Sequence, residues 1–169
     1  GHNVKASAII RSVLMEEMLH MSLACNLLNA IGGSPEINTP GFIPVYPTGL
    51  PGSLAPGLTV NLRKCSIDQI RDVFMAIEEP GQMAIPAFEI DGETVVSPEL
   101  PGEIETNQMT IGWFYHIIKC GFIKLVNELG HDAVFNGDPS KQLRSWHGTG
   151  DMIPVECLDD AICAIHEIV

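Results

Sequence analysis

Ile10–Ile31, IRSVLMEEMLHMSLACNLLNAI, is the stretch whose reading decides the fold. At helical spacing Ile10, Val13, Glu17, His20, Ala24, Leu27 and Ile31 form one stripe, three and four residues apart. The pattern predicts a helix from about Lys5 to Ile31. Gly32 and Gly33 follow where a left-handed cap is wanted, and Pro35 prevents resumption. Two ionisable groups, Glu17 and His20, sit inside this apolar stripe. On a buried face an unsatisfied polar group costs roughly 1 to 3 kcal/mol, so both are expected to be charge-paired, hydrogen-bonded or metal-bound.

Residues three apart on a helix point the same way, so the Glu-x-x-His unit can offer a carboxylate and an imidazole to adjacent metal ions. Two-metal sites in bundle cores, holding iron or manganese, use this unit twice, with one more Glu from each of two other helices. A pair bonded to itself or to a neighbouring helix fits the same spacing. Glu16 lies on the flank of the stripe, where it could fix the His20 tautomer as an outer carboxylate or simply be solvated. His116 is the candidate to face the site from another helix, as a neutral imidazole ligating iron or zinc. Trp113 and Cys120 beside it fit an ordinary core histidine, the reading the neighbours favour. A single zinc or iron held by His20, His116 and one carboxylate is a third arrangement that needs fewer acids. Glu128 and His131 repeat the Glu-x-x-His spacing, but Gly130 breaks the helix between them, which makes the match a coincidence. His166 and Glu167 flank the inner face of the last helix, and His2 and His147 carry no signal.

The 169 residues, 46% of them hydrophobic, suffice for one domain with a substantial core. A formal net charge of -12 argues against nucleic acid or an anionic membrane surface as partner and favours cations. No apolar run reaches the length of a spanning helix, and no charged-then-apolar leader opens the chain. The five cysteines are odd in number, scattered and free of Cys-x-x-Cys pairs, the usage of reduced thiols in a cytoplasm. Most are expected to act as small hydrophobes on helical faces. The helical pattern begins almost at Gly1 without a cap, and the final stripe stops at Val169 without a terminator. This is the expected look of a chain that continues in both directions.

Residues 34–65 are rich in Pro and Gly and are expected to form an irregular segment pinned by apolar anchors, with Leu58–Leu62 extended. Ser66 followed by Gln69 resembles a capping box opening a short helix over 67–79, which Pro80 ends. Glu78 and Glu79 sit in its last turn, free to pair with Arg71, to approach a cation or to remain solvated. Residues 80–106 are again irregular, with Asp91-Gly92 marking a hairpin turn. A third helix, 107–129, shows apolar residues on two sides and is closed by Gly130. Residues 135–150 read as loop, and a last helix is expected from near Pro154 to the end. Three long helical stretches and a short one indicate a mainly α, helical-bundle fold.

Glu16-Glu17-Met18-Leu19-His20-Met21, running on to Asn26-Leu27-Leu28-Asn29-Ala30-Ile31-Gly32-Gly33, resembles the second helix of the ferritin-like domain of iminophenylpyruvate-dimer synthases. Thr110-Ile111-Gly112-Trp113-Phe114-Tyr115 is similar to that family's third-helix signature. Leu50-Pro51, Leu58–Leu62 and Phe74-Met75-Ala76-Ile77-Glu78 fit its intervening segment. The likeness covers residue 5 to about 125. It implies a ferritin-like four-helix bundle and a di-iron carboxylate–histidine site. The chemistry it implies is oxidative coupling of aromatic amino-acid-derived imines, with a small aromatic substrate. Glu17 would be the bridging carboxylate and His20 a terminal ligand. Against that pattern, the family's first helix and its acidic ligand would lie before residue 1. Trp113 and His116 stand where relatives carry acidic residues, and the acidic continuation of the last helix would fall beyond Val169. The resemblance therefore implies a partial ferritin-like domain with an exposed apolar groove, covered in a homodimer. A non-catalytic dimerisation or accessory domain with buried Glu/His pairs is the alternative. Only Glu17 is securely inward on the sequence reading, while two divalent metals need three or more carboxylates.

Overall fold

Helix α1, Val4–Ala30, stops as its sequence requires. Gly32 adopts φ 77°, the Gly32 N–H bonds to Asn29 O at 3.1 Å, and the Gly33 N–H reaches back to Leu28 O at 2.9 Å. These two bonds satisfy carbonyls that the end of a helix leaves open, and only glycine takes the left-handed step without strain.

The computed structural model describes residues 3–78, the backbone of 89–91 and 94–96, and residues 110–169. It divides into two compact units, Gly1–Pro35 with Gly121–Val169, and Glu36–Cys120.

In the first unit α1 packs against α6, Leu158–Ile168. The core holds Leu19, Leu23, Leu27 and Ala30 of α1, Phe122 and Ile123 of α4 (Ile111–Leu129), Val134, Val155, and Ala161, Ala164 and Ile165 of α6. The α1 face that is buried is not the expected one. Glu17 is exposed, and Ile10, Val13 and Ile31 remain about 40% exposed. The buried face is centred on Asn26 and also carries Ser22 and Asn29, so apolar periodicity alone does not find it.

Asn26 is fully buried. Its Nδ2 donates to Leu143 O at 2.8 Å and Ile153 O at 3.0 Å, while its Oδ1 accepts from the Leu143 N–H at 2.8 Å. Gln142 continues the network, its Nε2 donating to Asn26 O and its Oε1 accepting from the Val155 N–H. Two amide side chains thus stand in for the ladder partners that residues 142–155 lack. This displaces the expected start of the last helix. Residues 151–156 lie outside any helix, α6 begins only at Leu158, and Pro154 precedes it. A short helix α5, His131–Val134, follows Gly130 and was not anticipated.

In the second unit, Thr48 and Val60 form an isolated bridge, the whole of the regular pairing realised by the expected extended segment. The predicted short helix is a succession of α2 (Ile67–Gln69), a π-helical turn (Ile70–Phe74) and α3 (Met75–Ile77). Ser66 caps it, accepting from the Gln69 N–H at 3.1 Å. Only half the capping box forms, because the Gln69 side chain turns to Asn61 O at 2.7 Å. Arg71 is taken by Asp68 and Asp72. Glu79 and Pro80 lie outside the described residues.

Strands β1 (Glu89–Asp91) and β2 (Thr94–Val96) pair antiparallel, as the hairpin signal anticipated. Asp91 is a paired strand residue opposite Thr94 rather than a turn residue. The expected start of the third helix at 107 lies outside the described residues, and α4 ends at Leu129 before Gly130, as predicted. Cys120 is buried as expected, but Cys65 and Cys163 are exposed. The described residues are mainly helical, with this hairpin as their sheet.

Candidate functional site

Glu17 and His20 face each other one turn apart on α1, with Glu17 Oε1 3.6 Å from His20 Nδ1. Their side chains are 53% and 26% exposed. The buried-charge problem posed by the sequence therefore takes a milder form: water reaches the carboxylate directly, and the imidazole is half-buried. The orientation itself follows from helix geometry, since positions i and i+3 share a face. Glu16 is exposed on the same helix.

His116 lies in the other unit, on α4, and is 3% exposed. Its Nε2 is 3.6 Å from Cys120 Sγ, one turn along. The Trp113 indole meets its ring edge-on, with centroids 5.0 Å apart and planes at 89°. Burial pushes the His116 imidazole below its ordinary value, and the Lys119 cation pushes it the same way. Lys119 is itself buried, and burial lowers its ammonium. The neutral imidazole is thus the stable form, as a metal ligand requires, but the neighbours are those of a core histidine. Sequence reasoning missed Lys119, although a lysine between His116 and Ile123 on an apolar face was its visible sign.

A pH dependence follows. The folded-state value of His116 is depressed below the ordinary 6.5, so the unfolded chain takes up the proton first. The stability contributed by neutral His116 is complete above that value and is lost as pH falls from it through the folded value. Urea midpoints measured between pH 7.5 and 5 should decline on the acid side. The decline should be shallower in His116→Gln, whatever that variant's stability at pH 7.5.

Glu128 and His131 have separate partners, Lys124 at 3.9 Å and Asp132 at 2.9 Å, in keeping with a coincidental motif. His166 is exposed, and Glu167 accepts from the Asp151 N–H at 3.0 Å.

Comparison with protein families matches the ferritin-like family over residues 1–169. The chain belongs to the ferritin-like family. No curated protein and no solved structure matches it. Ferritin-like proteins that carry two metals use two Glu-x-x-His units and two further glutamates. Among the described residues one such unit lies on an unbroken helix, and no group of three or more His, Cys, Asp or Glu side chains is gathered for a metal. The donors among the described residues do not make up a complete two-iron centre. They fit part of one, a carboxylate and an imidazole on one helical turn. No helix of the described residues is long and apolar enough to cross a membrane.

Proposed function

We propose that this chain is a metal-binding ferritin-like domain of oxidoreductase ancestry, with Glu17 and His20 as its metal-facing residues. The observation that carries the reading is the pair itself: two ligand-type groups 3.6 Å apart on one turn and accessible to an incoming ion. Iron, manganese and zinc all suit a carboxylate–imidazole pair. The pair gives the ion geometry and charge. The neighbouring Glu16 carboxylate adds to the negative field that draws cations to a chain of net charge -12.

The likeness of Glu16–Gly33 and Thr110–Tyr115 to iminophenylpyruvate-dimer synthases supports the finer reading, descent from enzymes that couple aromatic amino-acid-derived imines oxidatively. With a partial donor set, the isolated chain is expected to turn over such substrates weakly or not at all. The second reading, an accessory helical domain, is favoured by His116, whose Cys120 and Trp113 contacts satisfy a packing role without a metal.

Elemental analysis separates the two. Protein purified without chelator should carry iron, manganese or zinc, and the Glu17→Ala/His20→Ala double variant should not, with its helix content unchanged. Metal-free protein, or metal retained by the folded double variant, would leave the accessory reading standing. His116→Ala should keep its metal.

A further inference from the structure

Asn136 is the only asparagine of the chain that is followed by glycine. In such a pair the main-chain nitrogen of the glycine can approach the preceding carboxamide carbon, because no side chain stands in its way. Asn136 is exposed to water, between α5 and the turn at Pro139–Lys141. Two hydrogen bonds keep its atoms from reacting. The Gly137 N–H donates to Ala30 O at 2.9 Å, at the end of α1, and Asn136 Nδ2 donates to Ala133 O at 2.9 Å. The nitrogen that would attack and the amide that would leave are thus both engaged elsewhere. Asn136 Oδ1 also lies against Gly32, where an added Cβ would stand 2.8 Å from it. A single latch of Ala30, Gly32, Asn136 and Gly137 therefore closes the end of α1 and guards the pair.

We infer that Asn136 is a modification site, converted to aspartate and isoaspartate when the latch opens, and that neither product can rebuild the latch. Gly137 N, losing its proton, bonds to Asn136 Cγ. The Cγ–Nδ2 bond breaks, and ammonia leaves with that proton. Water then opens the cyclic imide: cleavage at Cγ gives aspartate, and cleavage at the main-chain carbonyl of residue 136 gives isoaspartate. The net change is carboxamide and water to carboxylate and ammonium, with no oxidant or cofactor. The aspartate product loses the donation to Ala133 O and sets a carboxylate against the end of α1, the negative end of the helix. The isoaspartate product adds a methylene to the main chain immediately before Gly137. That segment has no slack, since even a Cβ on Gly137 would collide with Asn29 O. Both products also add negative charge to a chain of net charge -12. The fold is thus the guard of this site, and its modification a one-way release of the segment after α5 from the end of α1.

Peptide mapping by mass spectrometry after incubation in weakly alkaline buffer tests this. The samples are the folded chain, the chain unfolded in guanidinium chloride, and folded Gly32→Ala. Residue 136 should be converted in all of them. The folded chain should react more slowly than the unfolded one by about tenfold or more, since only its open fraction reacts. Gly32→Ala, which puts a side chain on left-handed backbone beside Asn136 Oδ1, should react several-fold faster than the folded parent. Asn136→Gln, whose longer side chain closes the ring far more slowly, should remove the signal. Modified chains separated by anion exchange should unfold at a lower urea midpoint than unmodified ones. Equal rates in the folded and unfolded chains would overturn the guard. Conversion in the unfolded chain but in neither folded sample would overturn the opening at the end of α1. A modified chain with the parent's urea midpoint would overturn the claim that the products cannot rebuild the latch.

Discussion

Replacing Asn26 with alanine is expected to destabilise the unit built on α1 and α6 by about 3 to 5 kcal/mol. The substitution strips partners from Leu143 O, Ile153 O and the Leu143 N–H, made by a side chain that is fully buried. Each buried group left unsatisfied costs roughly 1 to 3 kcal/mol, and the vacated volume adds a cavity term. Urea denaturation followed by helical circular dichroism should show the midpoint falling by a large fraction of its original value. Asn26→Asp should not restore it, because a carboxylate can accept from the Leu143 N–H but cannot donate to the two carbonyls. A midpoint within experimental error of the parent would mean that the polar clasp does not hold residues 142–155 to α1.

The second large effect is steric. A Cβ on Gly137 would stand 1.8 Å from Asn29 O and 2.9 Å from Ala30 C and O. These are backbone atoms at the end of α1, where Gly137 N–H donates to Ala30 O at 2.9 Å. Neither side can give way as a flexible side chain would, so Gly137→Ala must pull the segment after α5 away from the helix end. A cost of about 3 kcal/mol is expected, which for a chain of this size lowers the melting temperature by roughly 6 to 12 °C. Thermal unfolding of the single variant measures it directly. A melting temperature equal to the parent's would show that the close approach of the two backbones is not maintained in solution.

Both effects arise from features that apolar periodicity cannot report. The helix ends at Ala30 and Leu129 were legible because Gly32 and Gly130 take left-handed backbone, a requirement written in residue type. The hairpin was legible from Asp91-Gly92, although Asp91 proved to be a paired residue. The inward face of α1 was not legible. The helix carries apolar residues on two faces, and the one this chain buries is the one interrupted by Ser22, Asn26 and Asn29. The start of α6 was misplaced for the same reason. Pro154 looked like a first helical residue, yet the flanking backbone of Ile153 and Val155 is committed to Asn26 and Gln142, partners more than a hundred and about a dozen positions away in sequence.

The candidate site divides in the same way. That Glu17 and His20 share one turn was fixed by their spacing, and their 3.6 Å separation agrees with it. Their exposure was not foreseeable, because it depends on which stripe the rest of the chain covers. His116 was recognisable as a buried histidine from its apolar neighbours, and that burial is the main cause of its depressed protonation, with the nearby Lys119 cation, which the sequence reading did not single out, adding to it.

The central claim is that the metal-binding position of this protein is the Glu17–His20 pair. It is tested most directly by adding zinc, stepwise, to metal-free protein labelled with nitrogen-15 at histidine and following the imidazole resonances by NMR. The account predicts that the His20 ring nitrogens shift first and saturate, that the His116 ring stays unmoved, and that Glu17→Ala abolishes the His20 response. A His116 shift at the same zinc level, or a His20 ring indifferent to zinc, would contradict it.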